Sequence, residues 1–135
     1  MVWEIYCLTR IPDFQARFIK AVRLSSEGAE SVMQQIDKGK QTAGDLKHLI
    51  LLDTAAPDKY GGTGRTFDWT LARPIAEKYP AIIAGGLNPG NVGRAIKLLK
   101  PWGVDVSTGV ETKGAKDMKK IIRFIEAVRE ADGGQ

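Results

Sequence analysis

Leu49-Ile50-Leu51-Leu52-Asp53-Thr54 is a run of four aliphatic residues that stops on a carboxylate. A short, wholly apolar run bounded in this way has the pattern of a parallel strand buried on both faces. The loop behind it, Tyr60-Gly61-Gly62-Thr63-Gly64-Arg65-Thr66-Phe67-Asp68-Trp69, is too rich in glycine for a regular element and reads as shaped backbone. A carboxylate at the C-terminal end of a buried parallel strand stands where α/β barrels and open α/β sheets carry their chemistry. Asp53 is therefore the first candidate site residue.

The same plan repeats on either side of this stretch. Upstream, residues 18–24 read as a strand. After a Ser25-Ser26-Glu27-Gly28 entry loop, Ala29, Val32, Met33 and Ile36 fall at helical spacing. Residues 38–45 are polar, with glycines at 39 and 44, and read as a loop. His48 opens the next strand at its N-terminal entrance, the stability end of a barrel strand, and is read as structural. Downstream, Asp68 is a candidate N-cap for an apolar stripe of Trp69, Ala72, Ile75 and Ala76, which Pro74 must shorten, kink or restart. Residues 81–84 form another strand, ending in Gly85-Gly86. Asn88-Pro89 has the pattern of an N-cap followed by proline at the first helical position, and Val92, Ala95, Ile96 and Leu99 carry that helix to Pro101. Residues 103–108 read as the last strand. A final helix is predicted over 115–131, with Met118, Ile121, Ile122, Ile125 and Val128 on one face.

Repeated βα units predict an α/β protein with a parallel sheet and helices outside it. Right-handed crossovers leave few arrangements. Periodicity by itself does not choose between a small doubly wound sheet and half of a (β/α)8 barrel, whose full form takes roughly 200–250 residues.

The chain has 135 residues, enough for one domain with a modest core. Its net charge of +4 is spread along the helices, without the block of like charges that marks a nucleic-acid tail. One cysteine excludes an internal disulfide and fits a reducing cytosol. The sequence has neither a signal-peptide pattern nor an apolar run long enough to cross a membrane, so a soluble, cytoplasmic protein is expected, with no nucleic-acid or membrane partner.

A second constellation follows the last two strands: Gly85-Gly86, and Ser107-Thr108-Gly109. Glycines let backbone N–H groups approach an anion without interference from Cβ, and in (β/α)8 enzymes this pair of loops is the recurrent phosphate cradle. Asp105 alternates with Ser107 on one face of the predicted strand, so both are expected to point inward near the mouth. Substrate positioning and a buried salt bridge are both open for Asp105. Arg65 reads as a surface-loop residue, and Glu111 as a residue that orients backbone.

Four ordered strings carry a resemblance: LLDT (51–54), YGGTGRTFDW (60–69), AGGLNPGNV (84–92) and VDVSTGVETKGAKD (104–117). Together they resemble the phosphoribosylanthranilate isomerase family of tryptophan biosynthesis. The resemblance implies the C-terminal half of a (β/α)8 TIM barrel, family strands 5 to 8 with their helices. Residues 18–135 would form this half-barrel, and 1–17 would be a remnant of the preceding helix or an N-terminal arm. The implied activity is the Amadori rearrangement of N-(5-phosphoribosyl)anthranilate to 1-(2-carboxyphenylamino)-1-deoxyribulose 5-phosphate. In that reaction Asp53 matches the acid that protonates the furanose ring oxygen, a role that requires desolvation to keep the acid protonated. Gly85, Gly86, Ser107, Thr108 and Gly109 would hold the phosphate of the phosphoribosyl substrate, with Asp105 beside it. No metal or organic cofactor is implied.

The family's base is a cysteine in a Lys-Ile-Cys-Gly-x-Thr motif. Cys7-Leu8-Thr9 echoes it without the lysine and glycine, and Cys7 is read instead as a helix cysteine packed on apolar surface. The family's arginine for the anthranilate carboxylate has no counterpart. The chain alone is therefore expected to be inactive, and to associate with itself or with a missing N-terminal half-barrel. Two other classes fit the loops: another phosphosugar TIM-barrel enzyme, and a non-catalytic phosphate-binding assembly module.

Overall fold

The computed structural model describes residues 18–24, 28–43, 48–54 and 69–133. Cys7, Arg65, Asp68, most of the glycine-rich loop and the side chain of His48 lie outside the described residues. Four strands, β1 (Phe18–Arg23), β2 (His48–Asp53), β3 (Ala81–Ala84) and β4 (Gly103–Val104), form one parallel sheet in the order β1-β2-β3-β4. Four α-helices accompany them: α1 (Ala29–Ala43), α2 (Arg73–Lys78), α3 (Val92–Leu99) and α4 (Met118–Asp132). The register aligns Arg23 with Asp53 and Asp53 with Ala84, so these strands end together.

Alternate strand residues divide the sheet into unlike faces. Val22, Leu24, Ile50, Leu52, Ala81 and Ile83 are buried in one cluster with Val32, Ile36, Ile75, Val92, Ile96 and Phe124 from the helices. Ile50, Leu52 and Ile83 have no accessible surface; each such side chain contributes about 1.5–3 kcal/mol by burial. On the opposite face Ile19 is 57% exposed, and Ala21 and Arg23 are also exposed. All described helices thus cover one face of a sheet whose strand order never reverses. A doubly wound sheet would show a reversal and helices on both faces. The arrangement is the singly wound one, as in (β/α) barrels.

Several local expectations change in the fold. The first helix runs through 38–43, where a loop was expected, and Lys20 Nζ donates to the Gln35 carbonyl at 3.0 Å. Pro74 acts as a restart: a 3₁₀ turn at Trp69–Leu71 ends and α2 opens at Arg73 with proline in its first turn. Asp37 then ties α1 to the end of α2, accepting from Lys78 Nζ at 2.9 Å and the Tyr79 hydroxyl at 2.6 Å. Burial and the Asp37 bond push the Tyr79 hydroxyl up from its ordinary value, and hydrogen bonding to Tyr79 and Asp37 pushes Lys78 up to about 12.

The last strand and helix depart most from expectation. β4 is two residues long instead of six, flanked by the Trp102 N–H bond to the Ala81 carbonyl and the Asp105 N–H bond to the Ile83 carbonyl, both at 2.8 Å. A 3₁₀ turn follows at Thr108–Val110, and then an antiparallel hairpin of β5 (Glu111–Thr112) and β6 (Ala115–Lys116). The hairpin turns through Lys113 and Gly114, both at positive φ (53° and 79°), so 115–117 cannot join the helix. Asp117 is the N-cap of α4, accepting from the backbone of Lys119 at 2.9 Å and Lys120 at 3.3 Å. The apolar face expected on α4 is split. Ile121, Phe124, Val128 and Ala131 turn to the core, whereas Met118, Ile122 and Ile125 are exposed.

The Asp117 cap yields a pH prediction. Its hydrogen bond from the Thr112 hydroxyl, then the backbone bonds, hold its carboxyl below the usual carboxylate range. A depressed native value stabilises the fold above the unfolded-state pKa, and that contribution is lost as pH falls through the native one. The melting temperature of Asp117→Ala is therefore expected to lie below that of the parent at pH 7, with the gap closing on acidification. A gap independent of pH between 7 and 3 would contradict the assignment.

Candidate active site

Every described candidate residue lies at the C-terminal edge of the four parallel strands. Asp53 is the last residue of β2, and Gly85 and Gly86 directly follow β3. Asp105 directly follows β4, and Ser107, Thr108 and Gly109 lie just beyond it. Strand alternation sets Asp53 on the face that the helices leave uncovered, because its neighbours Leu52 and Thr54 point into the helix layer. Asp53 Oδ2 meets Arg23 Nη2 at 3.4 Å, with 67% of the Arg23 side chain and 29% of the Asp53 side chain accessible. An ion pair this open contributes at most about 1 kcal/mol. Arg23 was not apparent as a site neighbour in the sequence, since only the β1–β2 register brings it beside Asp53.

The two glycine loops are built differently. Gly85 and Gly86 have φ values of 88° and 67°, in the left-handed region, and a Cβ on Gly86 would meet nothing within 4 Å. The loop is held by the side chains behind it. Asn91 Nδ2 donates to the Gly86 carbonyl at 3.0 Å and Asn91 Oδ1 accepts from the Asn88 N–H at 2.8 Å. Asn88 Oδ1 accepts from the Gly90 N–H at 2.9 Å in a local turn, but Asn88 is not the helix cap expected before Pro89: the N-cap is Asn91, without a side-chain cap bond, and the helix starts only at Val92. Gly109 allows close packing: a Cβ there would fall 1.7 Å from the Leu87 carbonyl oxygen. That approach brings the loop after β4 against the loop after β3.

Lys116 braces the second loop from the hairpin, donating to the Ser107 carbonyl at 3.0 Å and pairing with Glu111 Oε1 at 2.7 Å. Ser107 and Thr108 are exposed, and Asp105 is exposed at the edge instead of sitting in a buried ion pair. Among the described residues no group of His, Cys, Asp and Glu is arranged to hold a metal ion. No helix among them is long and apolar enough to cross a membrane. A groove of about 530 Å³ between α2 and α3, lined by Arg73, Glu77, Lys97 and Lys100, lies in the helix layer. It is open, and Arg73 is already paired with Glu77 at 2.8 Å.

A singly wound βα ladder with a carboxylate and two abutting glycine loops at its C-terminal edge defines a protein of the (β/α)-barrel class. Comparison with known proteins narrows this class. Residues 15–127 match the family model described as N-(5′-phosphoribosyl)anthranilate (PRA) isomerase, and the chain belongs to that family. The N-(5′-phosphoribosyl)anthranilate isomerase of Dehalococcoides mccartyi is 47% identical over 135 residues, spanning 98% of this chain and 58% of the relative. The solved phosphoribosyl anthranilate isomerase from Thermococcus kodakaraensis superposes with a TM-score of 0.65 at 39% identity, covering 82% of this chain and 51% of that one. A phosphoribosyl anthranilate isomerase in complex with reduced 1-(o-carboxyphenylamino)-1-deoxyribulose 5-phosphate gives a TM-score of 0.58 at 36% identity, covering 85% and 48%. The chain spans about half the length of the curated relatives it matches.

Proposed function

We propose that this chain supplies the acid and phosphate-binding half of a phosphoribosylanthranilate isomerase active site, as the C-terminal half of a (β/α)8 barrel. The observation that carries this reading is the gathering of Asp53 and the two glycine loops at one edge of the sheet, in a chain of this family. The uncovered sheet face supports it. Ile19 and Ala21 are exposed there and Leu49, Leu51 and Ile82 are half-buried, an apolar surface that further βα units would cover. Among the described strands β1 and β4 are the edges, each with one side that no described strand pairs with.

In the reaction, the phosphate of the substrate rests between the loops after β3 and β4, and Asp53 protonates the ring oxygen of the ribose. The ring opens to a Schiff base. Removal of the C2′ proton by a base gives an enolamine, which tautomerises to the aminodeoxyribulose product. Protons balance: the acid gives one to the ring oxygen and the base takes one from carbon.

The test is complementation. The chain alone is expected to associate and to be catalytically silent. Co-expression with the first four βα units of a relative is expected to restore product formation. A stable monomer with full isomerase activity would refute the half-barrel reading. A restored barrel that binds phosphate without turnover would favour the non-catalytic module.

A further inference from the structure

Thr54 is the one buried polar residue among the described core positions, with no accessible surface. Its hydroxyl lies 2.7 Å from the Ala84 carbonyl oxygen and 3.2 Å from that of Gly85, while its own N–H donates to the Ala84 oxygen at 2.9 Å. Two successive carbonyls at the end of β3 therefore converge on one side chain from β2. A trans peptide is planar, so each C=O points opposite to the following N–H. With the Ala84 and Gly85 carbonyls drawn toward β2, the N–H groups of Gly85 and Gly86 are aimed away from it, toward the side of the sheet that carries β4 and the Ser107–Gly109 loop.

We infer that Thr54 is the positioning residue of the phosphate cradle: its hydroxyl sets the peptide planes whose amides face the anion. The inference rests on the cradle reading above. A Cβ on Gly86 would meet nothing within 4 Å, so packing does not fix this left-handed backbone and hydrogen bonds do. Asn91 holds the far end of the loop, through the Gly86 carbonyl. Thr54 holds the near end. Because Thr54 follows Asp53 directly, it also fixes the phosphate loop relative to the strand end that bears the acid. Removing the hydroxyl leaves Ala84 with its backbone donor but takes away the bond to the Gly85 carbonyl, releasing the plane that carries the Gly86 N–H.

The probe is inorganic phosphate, titrated at pH 7.5 into the ¹⁵N-labelled chain, the parent beside Thr54→Val and Thr54→Ser. In the parent, the Gly85 and Gly86 amides are expected to shift with saturation. Thr54→Ser keeps the hydroxyl and is expected to bind within about twofold of the parent, whereas Thr54→Val should bind roughly fivefold to tenfold more weakly. In a complemented barrel the same loss would appear in KM, with kcat nearly unchanged. Equal affinity in Thr54→Val, or a loss in folded Thr54→Ser as large as that expected for valine, overturns the role of Thr54 and leaves the cradle standing. Thr54→Ala, expected to bind as weakly as Thr54→Val, decides this if the valine variant does not fold. A parent that gives no response at Gly85 and Gly86 overturns the cradle reading, and the inference with it.

Discussion

Asp53→Asn is expected to lower isomerase turnover in a complemented barrel by roughly 10²–10⁴-fold, the usual contribution of a positioned general acid. The substitution keeps the size and shape of the side chain and changes its ability to deliver a proton. Asp53 sits on the uncovered face at the end of β2, apart from the buried cluster, so the fold should tolerate the change. Its partner Arg23 is a largely exposed arginine at 3.4 Å, and losing so open a pair contributes little to stability. Phosphate affinity should stay near the parent value, because the proposed cradle is backbone of the loops after β3 and β4. The discriminating measurement is turnover under saturating substrate together with phosphate titration of the same variant. Near-normal turnover removes Asp53 from the acid role. Lost phosphate binding would instead mean that the substitution had disturbed the strand end.

Gly109→Ala is expected to have the largest effect on the fold and site together. Its Cβ would stand 1.7 Å from the Leu87 carbonyl oxygen, 2.8 Å from the carbonyl carbon and 3.1 Å from the Asn88 Cα, all backbone atoms that no rotamer change can move aside. The loops after β3 and β4 must separate. Overpacking of this kind costs about 3 kcal/mol, on the order of 10 °C in melting temperature for a chain of this size. Phosphate binding should weaken as well, since the proposed cradle depends on the distance between those loops. Thermal unfolding and phosphate titration check both parts. A melting temperature within 2–3 °C of the parent would show that the loops separate easily in solution, against the packing described.

The βα order and the inner strands were legible in the sequence because their signals are local. Leu49 to Leu52 and Ala81 to Ala84 are apolar runs that end in a carboxylate or a glycine pair, and both strands lie where those patterns put them. The candidate site residues were legible for the same reason, as each belongs to a strand end or a turn. Their neighbours were not. Arg23 meets Asp53 only through the parallel register, and Thr54 reaches Ala84 and Gly85 across 30 positions of sequence.

Sequence by itself determined the parallel α/β class, the succession of units and the family, since strand and helix periodicities and ordered motifs need no knowledge of distant contacts. Tertiary structure decided the rest. Met118, Ile122 and Ile125 share a helical spacing with the residues that α4 buries, yet they face outward. An apolar stripe says that burial is favourable; it does not say which side the sheet will occupy. The single direction of winding was likewise undetermined, because Ile50 and Leu51 are equally apolar and only packing shows that Ile50 lies under the helices. Gly109 read as a place for an anion, and the fold adds a packing reason for it, since a Cβ there would meet the Leu87 carbonyl. A glycine records that a Cβ is not tolerated, and only the fold shows which atom stands in its way.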